Sequence, residues 1–355
     1  MKARWPRAIV SMALLTVVAA CGGTPSSSAD VGKGSLTGAG ATFPEPFYSK
    51  AFYMYNQAYP QVSVNYQAVG SGAGIQQFIK GTVDFGASDV PMQDADITAA
   101  GGPGSLVQIP TTLGVVAVAY NLSGVSRLQL DGPTLAAIYL GAIKKWNDPA
   151  LVALNAGVAL PGTSITVVHR SDGSGTTYHF TDYLGRVSGD WRSKVGVNKS
   201  VQWPAGIGGK GNDGVAQTVK QTDGAIGYVE LAYVVQTGMQ QAFLKNKNGK
   251  FVQASVAGAT AAAAQNTSVS ATSFSITDQA GDTTYPIAGF SWIIVRSSIQ
   301  DSEKARAVAF LFRWLVTDGQ QYGTDLQYAP LPAAVRTLAL EDLKHVTSEG
   351  SPVLT

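Results

Sequence analysis

The sequence predicts an α/β protein with mostly parallel sheets, arranged in two lobes. Several segments place a β-rich run before a short Gly/Ser/Asp turn and a helical pattern, the order typical of parallel strands in α/β folds. The chain has 355 residues, of which 45% are apolar, whereas a single core stops growing at about 250–300 residues. Two apolar segments, 113–120 and 287–295, have the character of long strands that pass from one lobe to the other.

Four strand–loop–helix units carry the fold prediction. They are strand 62–66 with loop 70–74 and helix 75–79, strand 83–88 followed by Asp89 and Pro91, strand 165–169 with loop 170–175 and helix 176–184, and strand 225–228 with the stretch 229–235 after it. Ligands of such sheets bind beyond the carboxyl ends of the strands, where these loops fall. A strongly apolar core helix is predicted at 308–315. The stretch 254–284, rich in Ala, Ser and Thr, is predicted as a surface helix with loops.

The two long apolar segments also set the predicted domain boundaries. Residues 35–119 and 288–355 form lobe I, and residues 120–287 form lobe II. Ahead of them, three basic residues within 1–7 precede a mostly apolar run at 8–20, the pattern of a secretory signal peptide at 1–20. That run is too short to span a bilayer core, which takes about 20 residues.

Cys21 is the only cysteine of the chain and directly follows small residues. This resembles a bacterial lipobox, in which the cysteine becomes the lipidated first residue after cleavage; the alternative is a stray cysteine in a signal peptide. Residues 21–34 have the composition of a flexible tether with a reach of roughly 20 Å. The protein is therefore expected in the cell envelope, lipid-anchored to the outer face of the cytoplasmic membrane, or its periplasmic side if there are two membranes.

Composition excludes several classes of protein. Charged residues make up 14% of the chain and glycine accounts for 40 residues, against about 25% charge and 7% glycine in ordinary domains. Together with the apolar content, this excludes disorder, collagen and coiled coil. The 25 basic and 23 acidic residues form no basic run, so nucleic-acid binding is not expected. After cleavage at residue 20, 22 basic and 23 acidic residues remain, a net charge of −1. Three isolated histidines and one cysteine lack the number and spacing of zinc ligands, and no metal or cofactor is predicted.

Three short stretches combine small residues with hydroxyls at predicted strand-to-helix junctions: 41–44, 70–72 and 171–176. Helix N-termini bind phosphate-like anions through backbone N–H groups and Ser/Thr hydroxyls, and glycine lets the backbone approach the ligand. Each stretch alone is equally typical of an N-cap or a turn. Arg170 adds weight to the third, because a buried guanidinium at the end of an apolar strand needs an anionic partner. That partner is either internal, such as Asp172 or Asp89, or a ligand.

Other motifs are weaker. Residues 206–211 match the G-x-G-x-x-G spacing, but they follow a Trp-Pro pair rather than a buried strand, so a dinucleotide site is not favoured. Ser174 with His169 or His179 can be drawn as a hydrolase site, yet these histidines are as apt to face away from the serine. The sequence has no G-x-S-x-G elbow and no P-loop ending.

Taken in order, a set of collinear motifs resembles those of the phosphate-binding proteins (PstS) of bacterial ABC-type phosphate importers. They are LTGAGATFP at 36–44, VDFGASD at 83–89, IYLG at 138–141 with KKWND at 144–148, RSDGSGT at 170–176, GGKGNDG at 208–214 and GAIGYVE at 224–230. The resemblance covers about residues 35–331. It is weak over 254–284 and the last 20 or so residues.

The resemblance implies a two-lobed periplasmic-binding-protein clamp of type II, with two crossing strands and the anion in the cleft. It implies a monomeric lipoprotein, not an enzyme, that captures inorganic phosphate and delivers it to ABC permease subunits in the membrane. Two alternatives are an envelope phosphoester hydrolase using Ser174 or Ser71, and a receptor for another tetrahedral oxyanion such as arsenate. The implied ligand contacts are Thr42, Phe43 (through its N–H), Ser71, Asp89, Arg170, Asp172, Ser174, Gly175 and Thr176.

Asp89 suits a phosphate site because phosphate near neutral pH keeps at least one proton, whereas sulfate has none. A carboxylate accepts a hydrogen bond from P–O–H but repels sulfate. An unpaired buried acceptor costs about 1–3 kcal/mol, more when charged, so discrimination of roughly tenfold to several hundredfold is expected. The alternative for Asp89 is a helix N-cap ahead of Pro91. Asp172 is expected to steady the guanidinium of Arg170.

Overall fold

The structure, a computed structural model, describes residue 1, residues 30–266 and residues 268–355. The chain separates into two units, Met1–Asp30 and Val31–Thr355. The predicted signal peptide, the lipidation site Cys21 and most of the predicted tether lie outside the described residues. Within the last part of that tether, Val31 is buried and the first strand begins at Gly34.

The strands of the described residues belong to one large sheet and two small ones. They are β1 (Gly34–Gly40), β2 (Val62–Ala68), β3 (Phe85–Ser88), β4 (Leu106–Asn121), β5 (Gln129–Leu130), β6 (Thr166–Arg170), β7 (Ile207–Gly209), β8 (Ala225–Glu230), β9 (Gln240–Gln241), β10 (Phe243–Lys245), β11 (Phe251–Val252), β12 (Ala288–Arg296), β13 (Thr347–Ser348) and β14 (Ser351–Pro352).

The helices lie between these strands. They are α1 (Glu45–Ala58), α2 (Ser71–Ile79), α3 (Asp94–Ala99), α4 (Gly132–Tyr139), α5 (Pro149–Leu154), α6 (Gly175–Val187), α7 (Gly189–Lys194), α8 (Gly211–Gln221), α9 (Leu231–Thr237), α10 (Val256–Ala263), α11 (Ser302–Val316) and α12 (Ala333–Leu343), with 3₁₀ turns at Asp318–Tyr322 and Thr324–Leu326. Over the described ranges, no helix combines the length and the apolar character needed to cross a membrane.

The large sheet is mixed, with the strand order β2-β1-β3-β12-β4-β8-β6-β7 and with β9 paired to β4. Strands β2, β1 and β3 are parallel and form what we call the first block. Strands β8, β6 and β7 are also parallel and form the second block. Between the blocks, β12 pairs antiparallel with β3 and β4, and β4 pairs antiparallel with β8.

The 16-residue strand β4 joins the two blocks. It pairs with β12 over 106–115 and with β8 over 116–121. Ser88, at the end of β3, pairs with Trp292 of β12, which pairs with Pro110 of β4. Glu230, at the end of β8, pairs with Val116 of β4. The carboxyl ends of both blocks therefore meet near the middle of β4.

This architecture confirms the predicted α/β fold. The predicted strands 62–66 and 225–228 lie within β2 and β8, and the predicted strands 83–88 and 165–169 overlap β3 and β6, which begin at Phe85 and Thr166. Each is followed by a turn or a helix, as predicted. The two long apolar segments are β4 and β12, although β4 begins earlier, at Leu106. The division into lobe I (35–119 and 288–355) and lobe II (120–287) remains a prediction.

Two helices show how the sequence pattern determines burial. In α11, the side chain of Asp301 caps the helix by accepting the N–H of Lys304, and the buried residues recur at helical spacing, as predicted for a core helix. The prediction of a surface helix in 254–284 was only partly right. Helix α10 packs against β4 and β12, because its buried face consists of Gly258, Ala259, Ala262 and Ala263, which are small enough for close approach.

An aromatic cluster fixes the end of β6. The rings of Tyr228 in β8 and Phe180 in α6 stack with their centroids 4.2 Å apart. The Tyr228 hydroxyl accepts the backbone N–H of Arg170 at 3.1 Å and is hydrogen-bonded to Thr177 Oγ1 at 2.7 Å. The backbone of Arg170 is therefore held in place immediately before the chain turns into α6.

Candidate functional site

The loops that follow the parallel strands meet in one place. Thr42 follows β1, Ser71 begins α2 and Asp89 follows β3, so all three leave the first block. Arg170 ends β6, and the turn 171–176 leads from it into α6, so these residues leave the second block. Open α/β sheets bind ligands at the carboxyl ends of their strands, which makes this cluster the candidate binding site.

Arg170 and Asp172 form a two-pronged ion pair at the site. Nε of Arg170 donates to Asp172 Oδ1 at 2.7 Å, and Nη2 donates to Oδ2 at 2.5 Å. Asp172 Oδ1 also accepts the N–H of Gly211 at 3.1 Å. Burial opposes ionisation of Asp172, but Arg170 and Gly211 outweigh burial and lower the pKa of the carboxyl group. Of the internal partners considered for Arg170, the structure selects Asp172.

The guanidinium of Arg170 keeps donors for a further acceptor. Its side chain is 1% exposed, and Nη1 donates to Thr176 Oγ1 at 3.3 Å. An arginine carries five N–H donors. Within the described part of the chain, Asp172 and Thr176 use three of them, which leaves one hydrogen on each Nη. A buried cation with two such hydrogens suits an oxyanion.

Asp89 is a buried acid beside this pair, with 1% of its surface exposed. Its Oδ1 accepts the hydroxyl of Ser291, on β12, at 2.5 Å. Burial raises the pKa of Asp89 to about 7, although the hydrogen bond from Ser291 and the charge of Arg170 lower it. Asp89 is therefore an acid that changes charge near neutral pH.

Of the predicted contacts, Ser174 caps a helix and Asp89 does not. Ser174 is the N-cap residue of α6, and its Oγ accepts the N–H of Thr177 at 3.1 Å. Asp89 caps no helix, because α3 begins at Asp94 and Gln93 is its N-cap residue. The N-cap alternative for Asp89 is therefore wrong.

The hydroxyl of Ser71 links the two blocks. Its Oγ accepts the backbone N–H of Asp89 at 3.3 Å and the backbone N–H of Gly175 at 3.1 Å. A hydroxyl has two lone pairs and one proton. Because both lone pairs of Ser71 are occupied by N–H donors, its proton is left for an acceptor. The Asp89 carboxyl is one such acceptor, since a hydrogen bond from the Ser71 side chain helps to lower the pKa of Asp89.

The hydroxyl oxygens of Thr42 and Thr176 also accept two N–H donors each. Thr42 Oγ1 accepts the backbone N–H of Asn212 at 3.1 Å and its Nδ2 at 2.8 Å. Thr176 Oγ1 accepts Asn212 Nδ2 at 3.1 Å and Arg170 Nη1 at 3.3 Å. The protons of Thr42 and Thr176 thus remain to be donated, in a cluster that also contains a guanidinium, and the Ser71 proton lies beside the Asp89 carboxyl.

Two glycines allow the loops to approach this closely. Gly70 has φ +95°, and a Cβ there would lie 2.2 Å from Asp172 Oδ2. A Cβ on Gly175 would lie 2.4 Å from Cβ of Asp89. Any side chain at either position would push the carboxylate-bearing loops apart.

Phe43 supports the turn that carries Thr42. Its side chain is fully buried, with the ring centroid 6.1 Å from that of His179 and 6.4 Å from that of Tyr328. Its carbonyl accepts the hydroxyl of Tyr328 at 2.6 Å. His179 lies beneath the site, and burial lowers its pKa to about 4, although the charge of Asp182 and backbone groups of Phe290 and Asp89 raise it.

The histidines give no support to a hydrolase. His169 stacks on Trp203 with centroids 4.7 Å apart, and its Nδ1 lies 3.0 Å from the carbonyl oxygen of Arg170. Ser174 Oγ is engaged in the N-cap of α6. In the residues that the structure describes, neither His169 nor His179 is hydrogen-bonded to Ser174.

The structure brings the predicted contacts together and adds two residues that sequence reasoning missed. Asn212 lies in the 208–214 motif but received no role, and the sequence alone gives no signal for it. Ser291 could have been found, since it is the one hydroxyl inside an apolar strand, β12. The predicted contacts gathered in the cluster are Thr42, Phe43, Ser71, Asp89, Arg170, Asp172, Ser174, Gly175 and Thr176.

Comparison with known proteins agrees with this fold. A family model for the PBP superfamily domain matches residues 25–318, which defines the class of the protein. The phosphate-binding protein PstS of Xylella fastidiosa is 43% identical over 313 residues, 87% of this chain and 85% of that protein. PstS of Pasteurella multocida is 46% identical over 305 residues, 85% and 87% of the two chains. The chain therefore belongs to the PstS family, as the motifs indicated.

A solved structure gives the same architecture. A high-affinity periplasmic phosphate-binding protein, determined with bound phosphate, superposes with a TM-score of 0.71 at 21% identity. The match covers 86% of this chain and 92% of that one. At this identity, the likeness shows the fold.

Proposed function

We propose that this protein binds inorganic phosphate in the cluster between the two blocks. The observation that carries the proposal is the composition of the site: a buried guanidinium, three hydroxyls whose lone pairs are occupied by N–H donors, and the buried acid Asp89. Donors of this kind recognise an oxyanion, and the acid, when ionised, requires that the oxyanion carry a proton. The proposed contacts are Thr42, Phe43, Ser71, Asp89, Arg170, Asp172, Ser174, Gly175 and Thr176, with Asp172 acting through Arg170.

Asp89 gives the proposed site its selectivity. When ionised, its carboxylate accepts the P–O–H hydrogen bond of phosphate, and it faces sulfate with like charge and no donor. Its neighbour Gly175 has no side chain, which lets the acid lie against the start of α6. Arsenate shares the proton chemistry of phosphate and is expected to compete.

Phosphate capture by a transport receptor is the activity that these features support. Contacts from Thr42 to Asn212 and from Ser71 to Gly175 join the two blocks around the site, so a ligand held by both blocks would favour the closed arrangement. We place the hinge at β4 and β12, between lobe I (35–119 and 288–355) and lobe II (120–287). The relatives are phosphate-binding proteins by name, which supports delivery to an ABC permease from the outer face of the membrane, with lipid on Cys21 as the anchor.

Calorimetry with purified protein tests the proposal. We expect one phosphate per chain, competition by arsenate and much weaker binding of sulfate. Absence of phosphate binding, or equal affinity for sulfate, would overturn it. Turnover of a chromogenic phosphate ester that disappears in Ser174→Ala would instead favour the hydrolase.

A further inference from the structure

Asn212 occupies a central position in the site, although no role follows for it from the motifs. It is the second residue of α8 and is fully buried. Its backbone N–H and its Nδ2 both donate to Thr42 Oγ1, which comes from the other block. The same Nδ2 donates to Thr176 Oγ1 at 3.1 Å.

The orientation of the Asn212 amide is determined by the backbone. Oδ1 accepts the N–H of Glu230 at 2.9 Å, and an N–H group can only donate. The oxygen must therefore face Glu230, which directs both Nδ2 hydrogens to the other side. There they meet the hydroxyl oxygens of Thr42 and Thr176, one hydrogen for each.

This arrangement controls where two hydroxyl protons point. With Asn212 as donor, Thr42 Oγ1 has both lone pairs occupied, and Thr176 Oγ1 is filled by Asn212 together with Arg170 Nη1. Neither hydroxyl can donate to these partners, because all of them are N–H groups. Each proton must turn to an acceptor in the cluster, the place of the proposed oxyanion.

We propose that Asn212 is a positioning residue for oxyanion recognition: it orients Thr42 and Thr176 as donors and does not contact the ligand itself. The proposal rests on the proposed phosphate binding and deepens it. Asn212 acts equally on any tetrahedral oxyanion, so its loss lowers affinity for phosphate and arsenate alike. Selectivity against sulfate stays with Asp89.

A mutant cycle measured by calorimetry tests this role. Asn212→Ala is expected to lower phosphate affinity about tenfold for each misdirected hydroxyl, about 100-fold in all. In a background of Thr42→Val with Thr176→Val, the same substitution is expected to lower affinity less than about threefold, because there is no hydroxyl left to orient. Equal losses in both backgrounds would overturn the proposal.

Asn212→Asp provides a second readout that loss of packing does not produce. An ionised carboxylate would accept both hydroxyl protons and draw them away from the ligand, whereas a protonated one can still donate. The affinity deficit of this variant relative to wild type is therefore expected to grow as pH rises, while that of Asn212→Ala stays constant. A deficit for Asn212→Asp that does not change with pH would contradict the proposal.

Asn121→Ala serves as the matched control. Its Nδ2 donates to the carbonyls of Lys220 and Thr222, at the far end of β8 from the site, and its phosphate affinity should equal that of wild type. Failure of the wild-type protein to bind phosphate would reject the proposed function. If the wild-type protein binds phosphate but Asn212→Ala lowers the affinity equally in both backgrounds, only the role of Asn212 is rejected.

Discussion

The buried acid Asp89 predicts that discrimination between phosphate and sulfate depends on pH. Its pKa is raised to about 7 by burial, so the group is mostly protonated at about pH 6 and mostly ionised at about pH 8. Asp172 has a lowered pKa and stays ionised over this range. Above pH 7, sulfate binds only if Asp89 takes up a proton, and its affinity approaches a tenfold fall for each pH unit. Phosphate supplies the proton for this hydrogen bond itself, so its affinity falls little over the same pH range.

Competition calorimetry at constant ionic strength measures this effect. From the pKa of Asp89, the phosphate-to-sulfate affinity ratio should rise about 15-fold between about pH 7 and about pH 8.5. Asp89→Asn is the control, because an amide does not ionise and can donate to sulfate; its ratio should be small and independent of pH. A wild-type affinity ratio that stays constant with pH, or an Asp89→Asn ratio that changes with pH as the wild-type ratio does, would show that Asp89 does not control the discrimination.

Three further predictions concern the framework of the site. Arg170→Lys removes the two-pronged pair with Asp172 and should lower phosphate affinity by about 10- to 100-fold in calorimetry; an unchanged affinity would argue against a guanidinium contact. Gly175→Ala places a Cβ 2.4 Å from a neighbouring side chain and should lower the free energy of unfolding by about 1–3 kcal/mol. Gly189→Ala is the control and should be neutral, because a Cβ there meets nothing within 4 Å. Equal effects of the two substitutions in denaturant titrations would contradict the close approach at Gly175. His179→Leu removes a buried imidazole with a pKa lowered to about 4, while the unfolded chain takes up that proton near pH 6.5. The wild type should therefore lose up to about 3 kcal/mol relative to the variant as pH falls from about 6.5 to about 4, and a difference independent of pH would show that His179 is not buried in its neutral form.

Features that are local in sequence could be predicted. The apolar runs at 113–120 and 287–295 are strands because nothing polar interrupts them except single hydroxyls, and both lie in the middle of the sheet. The pair of Arg170 and Asp172 spans two positions, so the sequence could suggest it. The loops after β1, β2 and β3 could be placed together because parallel strands end at the same edge. The loop after β6 belongs to the second block, which runs in the opposite direction.

Features that depend on distant pairing could not be predicted. Ser291 and Asp89 are separated by 202 positions, and Asn212 and Thr42 by 170. No periodicity or spacing connects such residues. Their contact depends on how β4 brings together the ends of the two blocks, which run antiparallel to each other. The capping role of Asp89 was a reasonable alternative for the same reason: only the position of α3, which begins at Asp94, excludes it.

A crystal structure of the protein grown with phosphate would locate the ligand. We expect tetrahedral density about 2.6–3.2 Å from the hydroxyls of Ser71 and Thr176 and from the Nη atoms of Arg170, with one oxygen facing Asp89. Phosphate bound elsewhere, with this cluster making only the internal contacts described above, would contradict the proposed binding site.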